Sequence, residues 1–352
     1  MTAPPGVGHN GPSMSPQRIL VTGGAGFLGS HLIRAVLRDP GVRVVNLDLL
    51  TYAGSRTRLA DVEDGSRYRF EQADVADPAA VTRVIDEDTP DAVVHFAAES
   101  HVTRSERDSE RFWRTNVEGT KVMLEAASRG GVRRFVHIST DEVYGPILDG
   151  AFQEEDKLTG TGQATSPYAR SKAQADDLAS GIRSPMEVVV VRPTNGFGPW
   201  QFPEKALARW ITRALRGEPI PVWGDGGHVR QWLAAEDLAE ALGLILRADH
   251  LEPIYNVGPR HDPEITNLEL ARWLVGHMGL EEDRLVMTDY DRPDHDRRYA
   301  VVPDRIEALG WKAGDPFERF AETVDWYRAH EAWWRPLVDE AESIYADDTP
   351  VR

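Results

Sequence analysis

The stretch Ser139-Thr140-Asp141-Glu142-Val143-Tyr144-Gly145 sets two carboxylates side by side, directly behind the apolar run Arg134-Phe135-Val136-His137-Ile138. Adjacent acids at the end of a buried strand are costly unless they are used. A helix start would account for them structurally, because acids in a first turn favour the positive end of its dipole. A second stretch, Tyr168-Ala169-Arg170-Ser171-Lys172, places a tyrosine and a lysine one helical turn apart on one face. An isolated tyrosine, with a pKa near ~10, is a poor base at neutral pH, and a nearby ammonium would lower that value. Taken alone, such a pair also suits an exposed helix face.

A third stretch supplies a context. Val21-Thr22-Gly23-Gly24-Ala25-Gly26-Phe27-Leu28-Gly29 follows the first strand-like run and opens the first helix-like one. Gly23 makes the tight turn, Gly26 lets backbone approach a pyrophosphate, and Gly29 permits close helix–strand packing, with the helix N-terminus facing the anion. Asp48 ends the second strand run, where an acid hydrogen-bonds ribose hydroxyls and repels a 2′-phosphate, so NAD is favoured over NADP. Asp74 and Val75, after the third run, are placed to reach the adenine, and Asp74 also reads as the N-cap of the helix that begins near Pro78. With the positive nicotinamide beside Lys172, Tyr168 would take a proton from a sugar hydroxyl while hydride leaves the carbon.

The elements that must position these groups follow from short β-branched runs alternating with amphipathic stretches. The runs cover 18–23, 43–48, 68–74, 92–98, 134–140 and 187–194. Their spacing predicts βαβ units: an α/β, Rossmann-like, doubly wound parallel sheet with a smaller C-terminal α/β substrate-binding lobe. After Arg192, Pro, Gly and Trp become frequent, with helices expected over 205–216, 236–247, 267–279 and 316–329. The division expected is a disordered leader over 1–15 and an NAD-binding domain over 16–192 plus about 229–258. A nucleotide-sugar-binding domain over about 193–228 plus 259–340 and a frayed tail over 341–352 complete it. The balance of 40 basic to 57 acidic residues, a net charge of −17, disfavours nucleic acid and anionic membrane as partners. There is no cysteine, so there is no disulfide or thiolate metal site, and no metal is called for. No apolar run approaches the ~20 residues of a membrane span, and the Pro/Gly/Ser-rich N-terminus lacks a signal-peptide core, so the expected address is cytoplasmic.

The Gly turn with Tyr168 and Lys172 resembles the extended short-chain dehydrogenase/reductases. The stretches LDLLTYAG, HFAAESHV, TNVEGT, STDEVYG, GPWQFPEK, DRPDHDRRYA and LGWK narrow the resemblance to the dTDP-glucose 4,6-dehydratase family, from about Arg18 to about Tyr327. The resemblance implies three steps. Tyr168 removes the C4 hydroxyl proton while NAD takes the C4 hydride; Glu142 removes the acidified C5 proton while Asp141 protonates the departing C6 hydroxyl; hydride then returns to C6 and a proton to C5. Thr140 would hydrogen-bond the C4 oxygen. The two carboxylates must hold opposite protonation states, and like charges this close push their pKa values apart. Through the matched motifs the resemblance also places Phe27, Leu28, Leu49, Thr51, Phe96, Ala97, Ala98, Ser100 and Thr115 at the cofactor, together with Tyr168 and Lys172.

On the substrate side the resemblance implies Ser100, Thr140, Asn195 and Lys205 at the diphosphate-sugar and Pro221 and Trp223 at the base. Arg230, Asn267, His295, Arg298 and Tyr299 would complete the pocket. Arginine reads phosphate bidentately, which suits Arg230 and Arg298. Five positions depart from the family pattern: Thr103 and Gln231 each replace an acid, Gly196 an asparagine, Ala206 a leucine and Asp294 a glycine. They bear on base and sugar, since the catalytic set is complete. The resemblance further implies a homodimer paired through the helices over 110–130 and 166–182, in keeping with the prevalence of two-fold oligomers. A nucleotide-sugar 4-epimerase or decarboxylase would use the same oxidation, but neither needs a carboxylate pair for a C6 leaving group. A silent NAD-binding sensor or scaffold would predict a broken site.

Overall fold

The computed structural model describes residues 15–63, 65–158, 166–289 and 296–345. The strands, in chain order, are β1 (Arg18–Thr22), β2 (Arg43–Asp48), β3 (Tyr68–Gln72), β4 (Ala92–His95), β5 (Arg134–Ile138), β6 (Glu187–Pro193), β7 (Asn195–Phe197), β8 (Ile220–Trp223), β9 (Trp232–Ala234), β10 (Ile254–Val257) and β11 (Leu285–Thr288). Seven of them form one parallel sheet in the order β10-β6-β5-β4-β1-β2-β3. Every residue of β4 and β5 is buried, the mark of strands covered on both faces. The strand order reverses between β1 and β4, and the crevice at such a point is where open α/β sheets bind ligands.

The longer helices are α1 (Phe27–Leu37), α2 (Pro78–Asp88), α3 (Gly119–Arg129), α4 (Pro167–Gly181), α5 (Ala206–Leu215), α6 (Ala235–Arg247), α7 (Asn267–His277) and α8 (Pro316–Ala329). Leu32 and Ile33 of α1 and Leu238, Leu242 and Ile245 of α6 pack on one face of the sheet. Val81, Val84 and Ile85 of α2, Met123 and Leu124 of α3 and Ala179 of α4 pack on the other. A further apolar core joins α5, α7 and α8 to β8, around Trp210, Ile211, Leu274, Phe320 and Tyr327. The small parallel pairs β8–β11 and β7–β9 flank it.

Two local features differ from the regular pattern read in the sequence. The stretch leading into α3 is a helix over Ser109–Trp113, then a π-helical turn over Arg114–Glu118. Such insertions concentrate at functional sites, and this one carries Thr115 and Asn116. Residues 341–345 are packed rather than frayed. The short helix Val338–Ser343 ends in buried Ile344 and Tyr345, and Glu342 accepts from Arg209 at 2.8 Å and Arg213 at 3.0 Å. Residues 1–14 of the expected leader, residues 346–352 of the expected tail, and Asp294 and His295 lie outside the described residues.

Candidate active site

The glycine turn is shaped by contacts that leave no room for a side chain. Gly23 has φ +69°, and a Cβ there would lie 2.7 Å from the Ala97 nitrogen; one on Gly29 would lie 2.5 Å from the Gly23 carbonyl oxygen. The helix α1 thereby starts against the ends of β1 and β4, and its N-cap, Gly26, offers no side-chain cap. The amides of its first turn are available to an anion. A cavity of about 310 Å³ opens here, walled by every cofactor residue read from the sequence. Asp48, at the end of β2, accepts from the amides of Ala25 at 3.0 Å and Leu50 at 2.8 Å. Burial raises its pKa against those hydrogen bonds. Asp74 accepts from the Ala76 amide and pairs with Arg114 at 2.7 Å; the N-cap of α2 is Asp77, which accepts from Ala79 and Ala80. The N-cap expected at Asp74 is therefore one turn further on, set by Pro78 at the first helical position. A glycine-lined helix start, an acid at the second strand end and apolar Val75 and Phe96 between them fit a dinucleotide.

The acid pair sits where β5 runs out. Thr140 has extended backbone, and its hydroxyl accepts from the Glu142 amide at 3.3 Å, capping the short helix Asp141–Tyr144. The same hydroxyl donates to Asp141 Oδ1 at 3.2 Å and is hydrogen-bonded with the Tyr168 side chain. Asp141 is only 2 % exposed, and its Oδ2 has no hydrogen-bond partner among the described residues. Burial, reinforced by the charge of Glu142, raises its pKa to about 7, against the pull of Arg230. Glu142 is half-buried and faces a second cavity. Helix capping therefore explains the position of the pair but not the burial of Asp141.

Helix α4 begins with Ser166 capping the Ala169 amide at 3.1 Å and Pro167 at the first helical position. It delivers Tyr168 and Lys172 to the cofactor cavity, both buried. Lys172 Nζ donates to the Ile138 carbonyl at 2.6 Å, tying the helix to the strand that carries the acids. Burial lowers its pKa to about 8, with Asp176 one turn on opposing that shift. The Tyr168 hydroxyl differs from the sequence expectation. Burial and the neighbouring charges of Glu142 and Asp141 push its pKa far up, with Thr140 the counterweight. Within the chain, burial and the two acids dominate the phenol.

The second cavity, joined to the first along Asn195, Gly196, Glu204 and Lys205, is walled by Pro221, Trp223, Arg230, Asn267 and Tyr299 as well. The side-chain oxygens Asn195 Oδ1 and Asn267 Oδ1 are buried without a hydrogen-bond partner among the described residues. Such atoms await a polar ligand. Arg230 is held by the carbonyls of Val229 at 2.7 Å and Asp296 at 2.8 Å, over the Tyr299 ring. Ser100 and Thr140 lie on the cofactor cavity. Arg298 does not join either wall: it pairs with Glu264 at 2.5 Å and donates to the carbonyls of Ile147 and Gly150. The phosphate contact expected of Arg298 is thus not prepared by either cavity wall, whereas Arg230 and Lys205 line the second cavity.

Some residues on or behind the walls had no reading of their own from the sequence. Glu204 lies inside the quoted GPWQFPEK stretch, so its place was visible but its burial was not. Asn116 donates to the Ser171 hydroxyl at 2.9 Å and the Glu99 carbonyl at 3.0 Å, fixing the π turn against α4. Tyr345 closes the second cavity from the far end of the chain, where no local pattern marks it.

Residues 19–258 match the model of the NAD dependent epimerase/dehydratase family. The dTDP-glucose 4,6-dehydratase of Streptomyces niveus is 43% identical over 335 residues, covering 93% of this chain and 97% of the relative. The low-salt glycan biosynthesis protein Agl12 of Haloferax volcanii is 42% identical over 312 residues, 88% of this chain and 98% of the relative. The crystal structure of DesIV, the dTDP-glucose 4,6-dehydratase of Streptomyces venezuelae, with NAD bound, superposes with a TM-score of 0.85 at 40% identity, over 91% of this chain and 99% of that one. The glycine turn, the acid pair and the buried tyrosine and lysine thus stand in a chain that belongs to the NAD dependent epimerase/dehydratase family, among its dTDP-glucose 4,6-dehydratases.

Proposed function

We propose that the chain dehydrates a nucleotide-diphosphate hexose, dTDP-glucose in the first place, to the 4-keto-6-deoxy sugar. The observation that carries this reading is Asp141, a carboxyl held near neutrality in its protonation beside a second carboxylate, Glu142, that opens onto the sugar cavity. NAD bound along the glycine turn, Asp48, Tyr168 and Lys172 would supply a reversible acceptor for the C4 hydride, which C6 receives at the end. Tyr168, hydrogen-bonded with Thr140, takes the C4 hydroxyl proton. The ketone so formed acidifies C5–H, and Glu142 accepts that proton. Asp141 donates its proton to the C6 oxygen, which leaves as water, and C5 takes back a proton from Glu142 when C6 regains its hydride. Asn195, Lys205 and Arg230 would hold the diphosphate-sugar, and Pro221, Trp223, Asn267 and Tyr299 the nucleoside end.

Replacing Glu142→Gln separates the steps. Oxidation at C4 still proceeds in the variant, but C5 keeps its proton, so reduced cofactor builds up and is visible in its near-ultraviolet absorbance. A Glu142→Gln enzyme that turns over normally would contradict the assignment.

The separate apolar cores support a division into a cofactor lobe, residues 16–192 with about 229–258, and a sugar-nucleotide lobe, 193–228 with 259–340. Pairing of two chains through the α3 and α4 region is supported by Trp113, 43 % exposed just ahead of α3. Sedimentation at twice the 39.2 kDa chain mass is the expected result, and a single-chain mass contradicts it. No helix among the described residues is long and apolar enough to cross a membrane, which suits a cytoplasmic enzyme acting on a soluble sugar nucleotide.

A further inference from the structure

A reaction that returns its hydride has no need to exchange cofactor between turnovers, and the turn that covers the cofactor cavity is fastened as such a reaction would require. Residues Leu49 to Gly54 form an irregular turn after β2, with Leu50 at φ +58°; Leu49, Thr51, Ala53 and Gly54 wall the cavity. The turn has no sheet or helix to hold it. It is secured instead by side chains reaching to the segment Trp200–Lys205, which separates the two cavities.

There are two such fastenings. Tyr52, from the middle of the turn, donates its hydroxyl to Glu204 Oε1 at 2.9 Å. The Arg104 guanidinium stacks 3.8 Å from the centre of the Tyr52 ring and donates to Glu204 Oε2 at 3.3 Å, while Phe202 meets the ring edge-on. Glu204 is 2 % exposed; burial raises its pKa, with Lys205 and Arg104 opposing the shift. The second fastening is Arg58, fully buried, which donates to the carbonyls of Ala25 in the glycine turn, Ala53 in the covering turn and Trp200 in the partition. The Ser55 amide also donates to the Ala25 carbonyl at 2.9 Å. For NAD to leave past this turn, a buried hydrogen bond to a carboxyl group and a stacked arginine must both come apart.

We propose that Tyr52 and Glu204 are positioning residues that latch the covering turn and retain NAD through repeated turnovers. The proposal rests on the dehydration reading, because only a cofactor regenerated within each cycle gains from being locked in. Glu204 and Lys205 wall the sugar cavity too, so the latch is seated on the partition that the substrate touches.

The test is NAD release, read without any sugar present. Wild-type, Tyr52→Phe and Glu204→Gln enzymes are purified, their bound NAD per chain is determined, and its exchange against isotopically labelled NAD is timed. Tyr52→Phe keeps the ring, its stacking and its packing and removes one hydrogen bond to a buried carboxyl group. Release should quicken about tenfold, the lower end of what such a bond contributes. Glu204→Gln should quicken it too, and both preparations should carry less NAD. Variants that hold and exchange NAD as the wild type does would overturn the latch, as would a wild-type chain that exchanges as fast as they do. The two readings fail apart: a chain that retains NAD through Tyr52 but dehydrates no sugar nucleotide sinks the dehydratase reading alone, and a working dehydratase indifferent to Tyr52→Phe sinks the latch alone.

Discussion

At the residue scale the chemistry depends on two neighbouring acids being unequal. Asp141 is nearly inaccessible and its pKa stands at about 7, whereas Glu142 reaches the sugar cavity. A general acid is active while protonated, so the elimination step should fall off as pH rises through about 7. In Asp141→Asn this limb should vanish with the step itself, while C4 oxidation survives. Stability moves the other way. A carboxyl whose folded pKa is raised contributes stability fully below its unfolded value and loses it as pH climbs through the folded one. Above pH 7, Asp141→Asn should therefore be the more stable protein, by an upper bound of about 4 kcal/mol at 1.36 kcal/mol per unit. Melting temperatures at pH 5 and pH 8 check the sign: the loss builds up between the unfolded and folded pKa values, so a gain at pH 8 larger than the partial gain at pH 5 is expected, and a gain no larger at pH 8 contradicts it. The identities of Thr140, Asp141, Glu142, Tyr168 and Lys172 were readable in the chain, since motif and order are local. The high Tyr168 pKa was not, because desolvation depends on what the fold packs around the ring.

Secondary-structure elements were legible where their periodicity was strong. The six β-branched runs read from 18 to 194 became β1 to β6; β2 ends with its run at Asp48, and the other five end one to three residues early because the last residues turn into the site. The segment ahead of α3 was not legible in detail: a π turn and an unbroken helix share one amphipathic pattern, and only the Asn116 bonds to Ser171 and Glu99 betray the difference. The glycine turn gives this scale its sharpest prediction. Gly23→Ala introduces a Cβ at positive φ against backbone that cannot yield, at a cost of about 1–3 kcal/mol. Thermal unfolding should show that loss, and as-purified NAD should fall with it. A variant with wild-type stability and cofactor content would mean that the turn relaxes and that the close approach of β1 and β4 is not required.

Across the whole molecule, the site exists because distant stretches meet. Glu142 from the end of β5, Arg230 from between β8 and β9, Asn267 from the start of α7 and Tyr345 from near the end of the chain face one cavity. Family motifs made most of these residues findable without a structure. Arg298 shows the limit of that route: its motif neighbour Tyr299 faces the cavity, while its own guanidinium is taken by Glu264. Tyr345 shows the converse, a wall residue outside every motif. Among the departures from the family pattern, Thr103 and Gly196 line the second cavity, while Gln231 lies outside its lining. Thr103 is buried on the cavity wall with no hydrogen-bond partner for its hydroxyl among the described residues. Gly196 packs closely, since a Cβ there would lie 3.3 Å from Leu28 Cδ2 and 3.6 Å from Phe27 Cε1. Gln231 bridges the carbonyl of Pro259 and the backbone of Val301, a structural role that an acid could not fill with the same two donors. The catalytic set of Thr140, Asp141, Glu142, Tyr168 and Lys172 is intact, and the departures lie outside it.

The most direct measurement is mass spectrometry of dTDP-, UDP-, CDP- and GDP-linked hexoses incubated with the purified protein in deuterated water. Loss of one water from dTDP-glucose, with one deuterium gained at C5, is the predicted result, and it requires a C5 proton removed and replaced by solvent while hydride moves internally to C6. Isomerisation or decarboxylation without loss of water, or no conversion of any of the four, would contradict the roles given to Asp141 and Glu142.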